Sequence, residues 1–109
     1  MTGGEIAWHL VCGVDEVAPE DARRFEMNGR VYAVFHARRA WYATDGLCTH
    51  EQAELTDGLV SGDYVICPKH NSRFHIPTGK ALRIPARVDL ATYPVKTEGG
   101  KVYIGLTIS

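Results

Sequence analysis

The chain of 109 residues is 45% apolar and 23% charged, with a formal net charge of −1. That length builds one modest core and leaves no room for a catalytic domain beside a separate cofactor domain. The balanced charge, with no concentrated Lys/Arg surplus, argues against nucleic acid as a partner. No apolar stretch approaches the ~20 residues that span a bilayer, so no membrane partner is expected.

Residues 1–5 are polar and carry neither a basic nor an apolar leader region, so a cytoplasmic location is expected. Residues 6–12 read as a first strand. Residues 15–21 are acidic, contain Pro19 and read as a loop or short turn; the wider stretch 15–24 is the one segment with any helical character. Residues 24–27, Asn28-Gly29 and residues 30–37 form a predicted hairpin, because both positions of Asn-Gly tolerate positive φ. A short strand at 41–43 stops at Asp45-Gly46. Residues 59–60 and 64–66 flank the turn Ser61-Gly62-Asp63 as a second hairpin. A strand at 74–76 ends at Pro77-Thr78-Gly79. A third hairpin pairs 93–96 with 102–106 across Glu98-Gly99-Gly100, and Val102, Ile104 and Leu106 alternate with Tyr103 and Gly105 as in a half-buried strand. Short apolar runs broken by turn residues, without repeats, predict an all-β fold.

The cysteines number three, Cys12, Cys48 and Cys67, an odd and widely spaced set that does not make a disulfide framework. Two of them open Cys/His pairs: Cys48-Thr49-His50 is C-x-H and Cys67-Pro68-Lys69-His70 is C-x-x-H. Each pair follows a predicted strand in a turn-rich stretch, so both lie on loops. The hairpin between them carries both loops to the same end of the sheet. Thiolates and imidazoles suit zinc or iron–sulfur chemistry rather than magnesium or calcium. A structural Cys2His2 zinc site is one reading, although zinc sites usually pair cysteine with cysteine and histidine with histidine along the chain. One cysteine and one histidine per loop suits a two-iron cluster, with both cysteines on one iron and both histidines on the other.

The run Cys48-Thr49-His50 with Leu55-Thr56-Asp57-Gly58, and Cys67-Pro68-Lys69-His70-Asn71-Ser72-Arg73-Phe74 with Thr78-Gly79, resembles the cluster-binding half of Rieske proteins. It is most similar to the small Rieske-type ferredoxins of bacterial ring-hydroxylating dioxygenases. The resemblance implies an all-β Rieske domain of antiparallel sheets over residues 1–109. The cluster-binding part would span about 44–87, and the terminal segments would form the base. It implies one [2Fe–2S] cluster, with Cys48 and Cys67 on an inner iron and His50 and His70 on an outer iron at the tip. It also implies an electron carrier rather than an enzyme. Such a carrier takes single electrons from an NAD(P)H-dependent flavoprotein reductase and passes them to a Rieske non-haem iron oxygenase. Two other roles remain open: the small Rieske subunit of an assimilatory nitrite reductase, and a zinc-stabilised interaction domain.

The chain departs from high-potential Rieske proteins. Ala53 and Lys69 stand where those proteins have two disulfide-forming cysteines. Ser72 keeps a hydroxyl beside the cluster, but Phe74 replaces a tyrosine. A midpoint near the lower end of the Rieske range, about −150 mV, is therefore expected. By the same resemblance Pro85, within Arg83-Ile84-Pro85-Ala86-Arg87, belongs to a third loop over the cluster. Glu51, Gln52, Lys69 and Asn71 adjoin the ligands and are expected on the docking face. Cys12 reads as a buried packing residue. His9, His36 and His75 read as ordinary structural or surface histidines, and Trp8 and Trp41 as core or half-exposed packing.

Overall fold

The computed structural model describes residues 5–49, 53–68, 72–83 and 88–107. Among these, eleven strands form three antiparallel sheets. The first contains β1 (Ile6–Gly13), β11 (Lys101–Thr107) and β10 (Val95–Glu98), in the order β1-β11-β10. The second has the order β2-β3-β4-β9, with β2 at Asp21–Met27, β3 at Arg30–Ala37, β4 at Ala40–Asp45 and β9 at Thr92–Tyr93. The third runs β5-β6-β7-β8, with β5 at Leu59–Ser61, β6 at Tyr64–Ile66, β7 at Arg73–His75 and β8 at Ala81–Arg83. The helical pieces among the described residues are two 3-10 turns, Val14–Glu16 and Leu55–Asp57, and no helix there is long and apolar enough to cross a membrane.

Strand β3 organises the interior. Ala33, Phe35 and Ala37 project into one apolar core, shared with Val60, Val65, Phe74, Ile76, Leu90 and the cysteines Cys48 and Cys67. Tyr32 and Val34, on the other face, join a second core with Cys12, Val17, Val102, Ile104 and Leu106. A period-two strand buried on both faces reads as an uninterrupted apolar run, which is the pattern of Val31 to Phe35. Cys12 is buried as expected, and that burial pushes its thiol pKa up.

The expected hairpins form. Asn28 and Gly29 both take positive φ, as a two-residue turn requires. The stretch 15–24 is not helical: after the 3-10 turn the chain extends, and Asp21 already pairs with His36. The strand expected at 74–76 sits one residue earlier, because Arg73 pairs with Ile66 and Ile76 turns to bond Asp63. Strand β8 was not expected from the sequence, and Tyr93, expected in the third hairpin, instead pairs with Ala43 as part of β9, so that hairpin arm begins at Val95. Both strands are short and held by neighbours rather than by their own pattern.

A second two-residue hairpin turn, between β3 and β4, puts Arg38 and Arg39 at φ 49° and 65°. Arginine has no intrinsic preference for that region. The turn is held by contacts: Arg38 Nε lies 2.8 Å from Asp63 Oδ1, while Glu20 accepts from the backbone N–H of Arg38 and of Gly62. These contacts join the far end of the β5–β6 hairpin to the second sheet.

Glycine is required at residue 79, where φ is +75° and a Cβ would lie 2.2 Å from the Leu90 carbonyl oxygen. Gly99 also has positive φ, but its Cβ would meet nothing within 4 Å. Gly79→Ala should cost more than about 2 kcal/mol, combining overpacking with backbone strain, whereas Gly99→Ala should cost only about 1–2 kcal/mol from strain alone. Thermal unfolding of the two variants measures the difference, and equal losses would contradict the close approach at residue 79.

Candidate metal centre

Both cysteine loops leave the sheets in the same way. After β4 the chain passes tightly over β3: the Gly46 N–H donates to the Val31 carbonyl at 2.8 Å, and a Cβ on Gly46 would lie 2.9 Å from Val31 backbone. Leu47 then bridges Glu54, and the Cys48 N–H donates to the Ala53 carbonyl at 2.7 Å. At the end of β6 the Cys67 N–H donates to the Ser72 carbonyl, also at 2.7 Å. Each loop is thus closed by a cysteine N–H bonded to the carbonyl five residues on. Both cysteines have 0% exposure and share one core with Phe35, Leu55, Phe74 and Ile76.

A third segment closes against the first loop. The Thr49 hydroxyl donates to the Val88 carbonyl at 2.8 Å, Asp89 accepts from the Ala81 N–H, and the Leu90 N–H donates to Gly79. Ser72 is fully buried, and its Oγ has no hydrogen-bond partner among the described residues. A buried hydroxyl without an acceptor is costly. An acceptor such as a cluster sulfide or thiolate beside the second loop would satisfy it, so the residues present fit an iron–sulfur group. Phe74 pairs with Val65 and fills the core beneath the cysteines.

His50, Glu51, Gln52, Lys69, His70, Asn71 and Pro85 lie outside the described residues. Among the described residues no group of three His, Cys, Asp or Glu side chains is placed to hold a metal ion. The remaining histidines have other surroundings. His36 stacks on Trp41 at 4.2 Å and its Nδ1 lies 3.0 Å from the Val17 carbonyl, and His75 Nδ1 lies 2.8 Å from the Thr78 hydroxyl.

One cluster near the first loop was not legible in the sequence. The Tyr93 hydroxyl donates to Asp45 Oδ1 at 2.6 Å, and Arg30 reaches the same oxygen at 3.2 Å. Tyr32 meets Tyr93 edge-on at 5.0 Å. Burial, the hydrogen bond to Asp45 and the Asp45 charge push the Tyr93 pKa up, against the opposing pull of Arg30. Asp45 had read only as a strand stop, and its partner lies 48 residues away.

The family model described as "Rieske [2Fe-2S] domain" matches residues 7–94. The ferredoxin component of the naphthalene 1,2-dioxygenase/salicylate 5-hydroxylase systems of Ralstonia sp. is 38% identical over 97 residues, covering 89% of this chain and 93% of the relative. The solved Sphingomonas yanoikuyae B1 ferredoxin is 34% identical with a TM-score of 0.85, covering 92% of this chain and 99% of that one. A chain in a solved complex of reduced oxygenase and oxidized ferredoxin of carbazole 1,9a-dioxygenase is also 34% identical, with a TM-score of 0.85, covering 89% of this chain and 91% of that one.

The Tyr93–Asp45 bond sets an alkaline limit. A folded-state pKa raised above the ordinary tyrosine value of 10.0 contributes stability that is fully present below pH 10 and is lost as pH rises beyond it. Tyr93→Phe should lower stability at pH 7 by about 1–2 kcal/mol, through the lost hydrogen bond to a charged group. It should also remove part of the decline above pH 10. Denaturant unfolding at pH 7 and pH 10.5 checks both; parallel declines in the two proteins would sink the assignment.

Proposed function

This chain belongs to the Rieske [2Fe–2S] family, and from that premise we propose that it is the electron-carrying ferredoxin component of a ring-hydroxylating dioxygenase system. It takes single electrons from an NAD(P)H-dependent flavoprotein reductase and delivers them to a Rieske non-haem iron oxygenase. The observation that carries this reading is similarity across nearly the whole chain to proteins named as such ferredoxin components. Their names favour it over the nitrite reductase subunit considered from the sequence. A [2Fe–2S] family model likewise favours a cluster over zinc.

We assign one [2Fe–2S] cluster to the chain, held by Cys48 and Cys67 on one iron and by His50 and His70 on the other, within a single domain over residues 1–109 and in the cytoplasm. When bound, the group supplies a one-electron couple. The chain's own residues do the rest. The two loop closures hold the cysteine sulfurs in the apolar core and keep water from them. Phe74 and Leu55 pack that core, and Ser72 offers an O–H donor. Glu51, Gln52, Lys69 and Asn71 border the ligands in sequence and are assigned to the docking face.

Cys48→Ser, Cys67→Ser, His50→Ala and His70→Ala should each abolish or severely impair iron and sulfide incorporation. Cys12→Ser should leave it intact, because Cys12 belongs to the other core. Iron and acid-labile sulfide analysis, with electron paramagnetic resonance of the reduced protein, decides this. A wild-type protein carrying stoichiometric zinc and no sulfide would overturn the reading.

The buried Ser72 hydroxyl yields a second test. Reduction makes the sulfurs more negative and therefore better acceptors, so a hydroxyl donor favours the reduced state. Ser72→Ala should lower the midpoint by tens of millivolts, on the order of 50 mV, since about 1.4 kcal/mol corresponds to 59 mV for one electron. Protein-film voltammetry at neutral pH reads the shift. A wild-type midpoint well above zero would contradict the dioxygenase-ferredoxin role, and an unchanged midpoint in Ser72→Ala would remove the serine from the cluster's surroundings.

A further inference from the structure

The outer face of the β5–β8 sheet carries an arginine that meets no acid among the described residues. Leu59 pairs with Ile66 and Ile66 with Arg73, so these side chains leave the sheet on the same side. The adjacent row, Val60, Val65, Phe74 and Ala81, points the other way and packs in or against the core. Leu82, next to Ala81, is 50% exposed and Leu59 is 63% exposed. Isolated exposed leucines need no explanation. Arg73, which pairs with Ile66 on one side and Arg83 on the other, does.

Arg23, Arg24, Arg30 and Arg38 each hold a carboxylate at 2.8–3.2 Å. Arg73 holds none among the described residues. Its guanidinium lies 5.1 Å over the Tyr64 ring, and its Nε–H is buried without a hydrogen-bond partner among the described residues. The face offers no carboxylate of its own among the described residues, since the rows Leu59-Ile66-Arg73 and Ser61-Tyr64-His75 contain none. A second copy docked face to face about a two-fold axis would oppose Arg73 with its own cationic, apolar surface. The complementary occupant is a different protein, one that presents a carboxylate with an apolar rim.

The row also lies directly below a ligand loop. Ile66 precedes Cys67 and Arg73 follows Ser72, so a partner broader than the tip meets this face next. Building on the electron-carrier function above, we propose that this face, with Leu59, Ile66, Tyr64, Arg73 and Leu82, is part of the contact with the terminal oxygenase, and that Arg73 receives a carboxylate of that partner. The oxygenase is assigned rather than the reductase because a related ferredoxin is known in a solved assembly with its oxygenase. An arginine fork gives such a contact a charge-assisted, two-point bond that a lysine does not reproduce. Electron-transfer encounters are small and transient, so one such anchor governs a large share of the affinity.

The test titrates the cluster-loaded protein with the purified terminal oxygenase of its own system, at low and at physiological salt. Arg73→Gln should weaken binding at least tenfold and flatten its salt dependence, with Arg73→Lys intermediate. The visible spectrum, the midpoint potential and the rate of reduction by the reductase should stay unchanged. Leu82→Glu, at an exposed position that does not bear on folding, should weaken binding similarly even if the arginine variants assemble poorly. An unchanged dissociation constant in Arg73→Gln and Leu82→Glu overturns the proposal. So does a loss confined to reduction by the reductase, which would give the face to the electron donor. Failure of the wild type to bind the oxygenase, or to carry a cluster, would instead strike the function on which the proposal rests.

Discussion

Two sulfur atoms held at zero exposure in an apolar core are the constraint on which the ligand end depends. Cys48 and Cys67 are as buried as Phe35 and Phe74, with which they pack. A thiolate in such surroundings has no water to solvate it and requires a cation in contact. On the assigned ligand set the iron supplies that cation, so cluster loading and packing of this core are coupled. The geometry also explains the division of labour within each motif. Each cysteine is the residue whose N–H closes its loop, so its sulfur starts at the edge of the sheet, inside the core. Each histidine comes two or three residues further along the loop in sequence.

The charge of the ligands sets the chemistry. Two ferric ions, two sulfides and two thiolates sum to zero, whereas four thiolates would leave a dianion that resists an added electron. Histidine ligation therefore raises the potential from about −400 mV to the range of about −150 to +300 mV. Within that range the number of donors to the sulfurs matters. Ser72 is one buried hydroxyl without a partner among the described residues, whereas Phe74 offers no hydroxyl and Ala53 offers no sulfur for a disulfide. On the proposed assignment Phe74 and Ala53 favour a low midpoint, whereas the Ser72 hydroxyl would raise it.

The hairpin turns at Asn28-Gly29 and Gly99-Gly100 were legible in the sequence because each rests on local residue type and spacing. The two Cys/His pairs were legible for the same reason. Other features depend on residues far apart in the chain. The turn at Arg38-Arg39 carries no turn residue and exists because Glu20 and Asp63 hold it. The short strands β8 and β9 are held in place by Phe74, Arg73, Ala43 and Thr44 across the sheets. Asp45 read as a stop signal, but its carboxylate joins Arg30 and Tyr93 beneath the first loop. An orphaned Ser72 hydroxyl or Arg73 Nε–H is invisible until the neighbours that fail to satisfy it are in place.

These long-range contacts fasten the ligand half at both ends. Near the loops, Thr49 bonds Val88 and Asp45 bonds Tyr93 and Ala91. At the opposite end, Arg38 meets Asp63, Glu20 meets Gly62, and the Ile76 N–H returns to the Asp63 carbonyl. Two arginines at positive φ cost about 1–2 kcal/mol each, and the chain accepts that strain where it locks the β5–β6 hairpin to the second sheet. A carrier gains from such rigidity, because an electron moves fastest when little rearranges with it. The same contacts tie the strands that carry Arg73 and Leu59 to the sheet from which Cys48 departs.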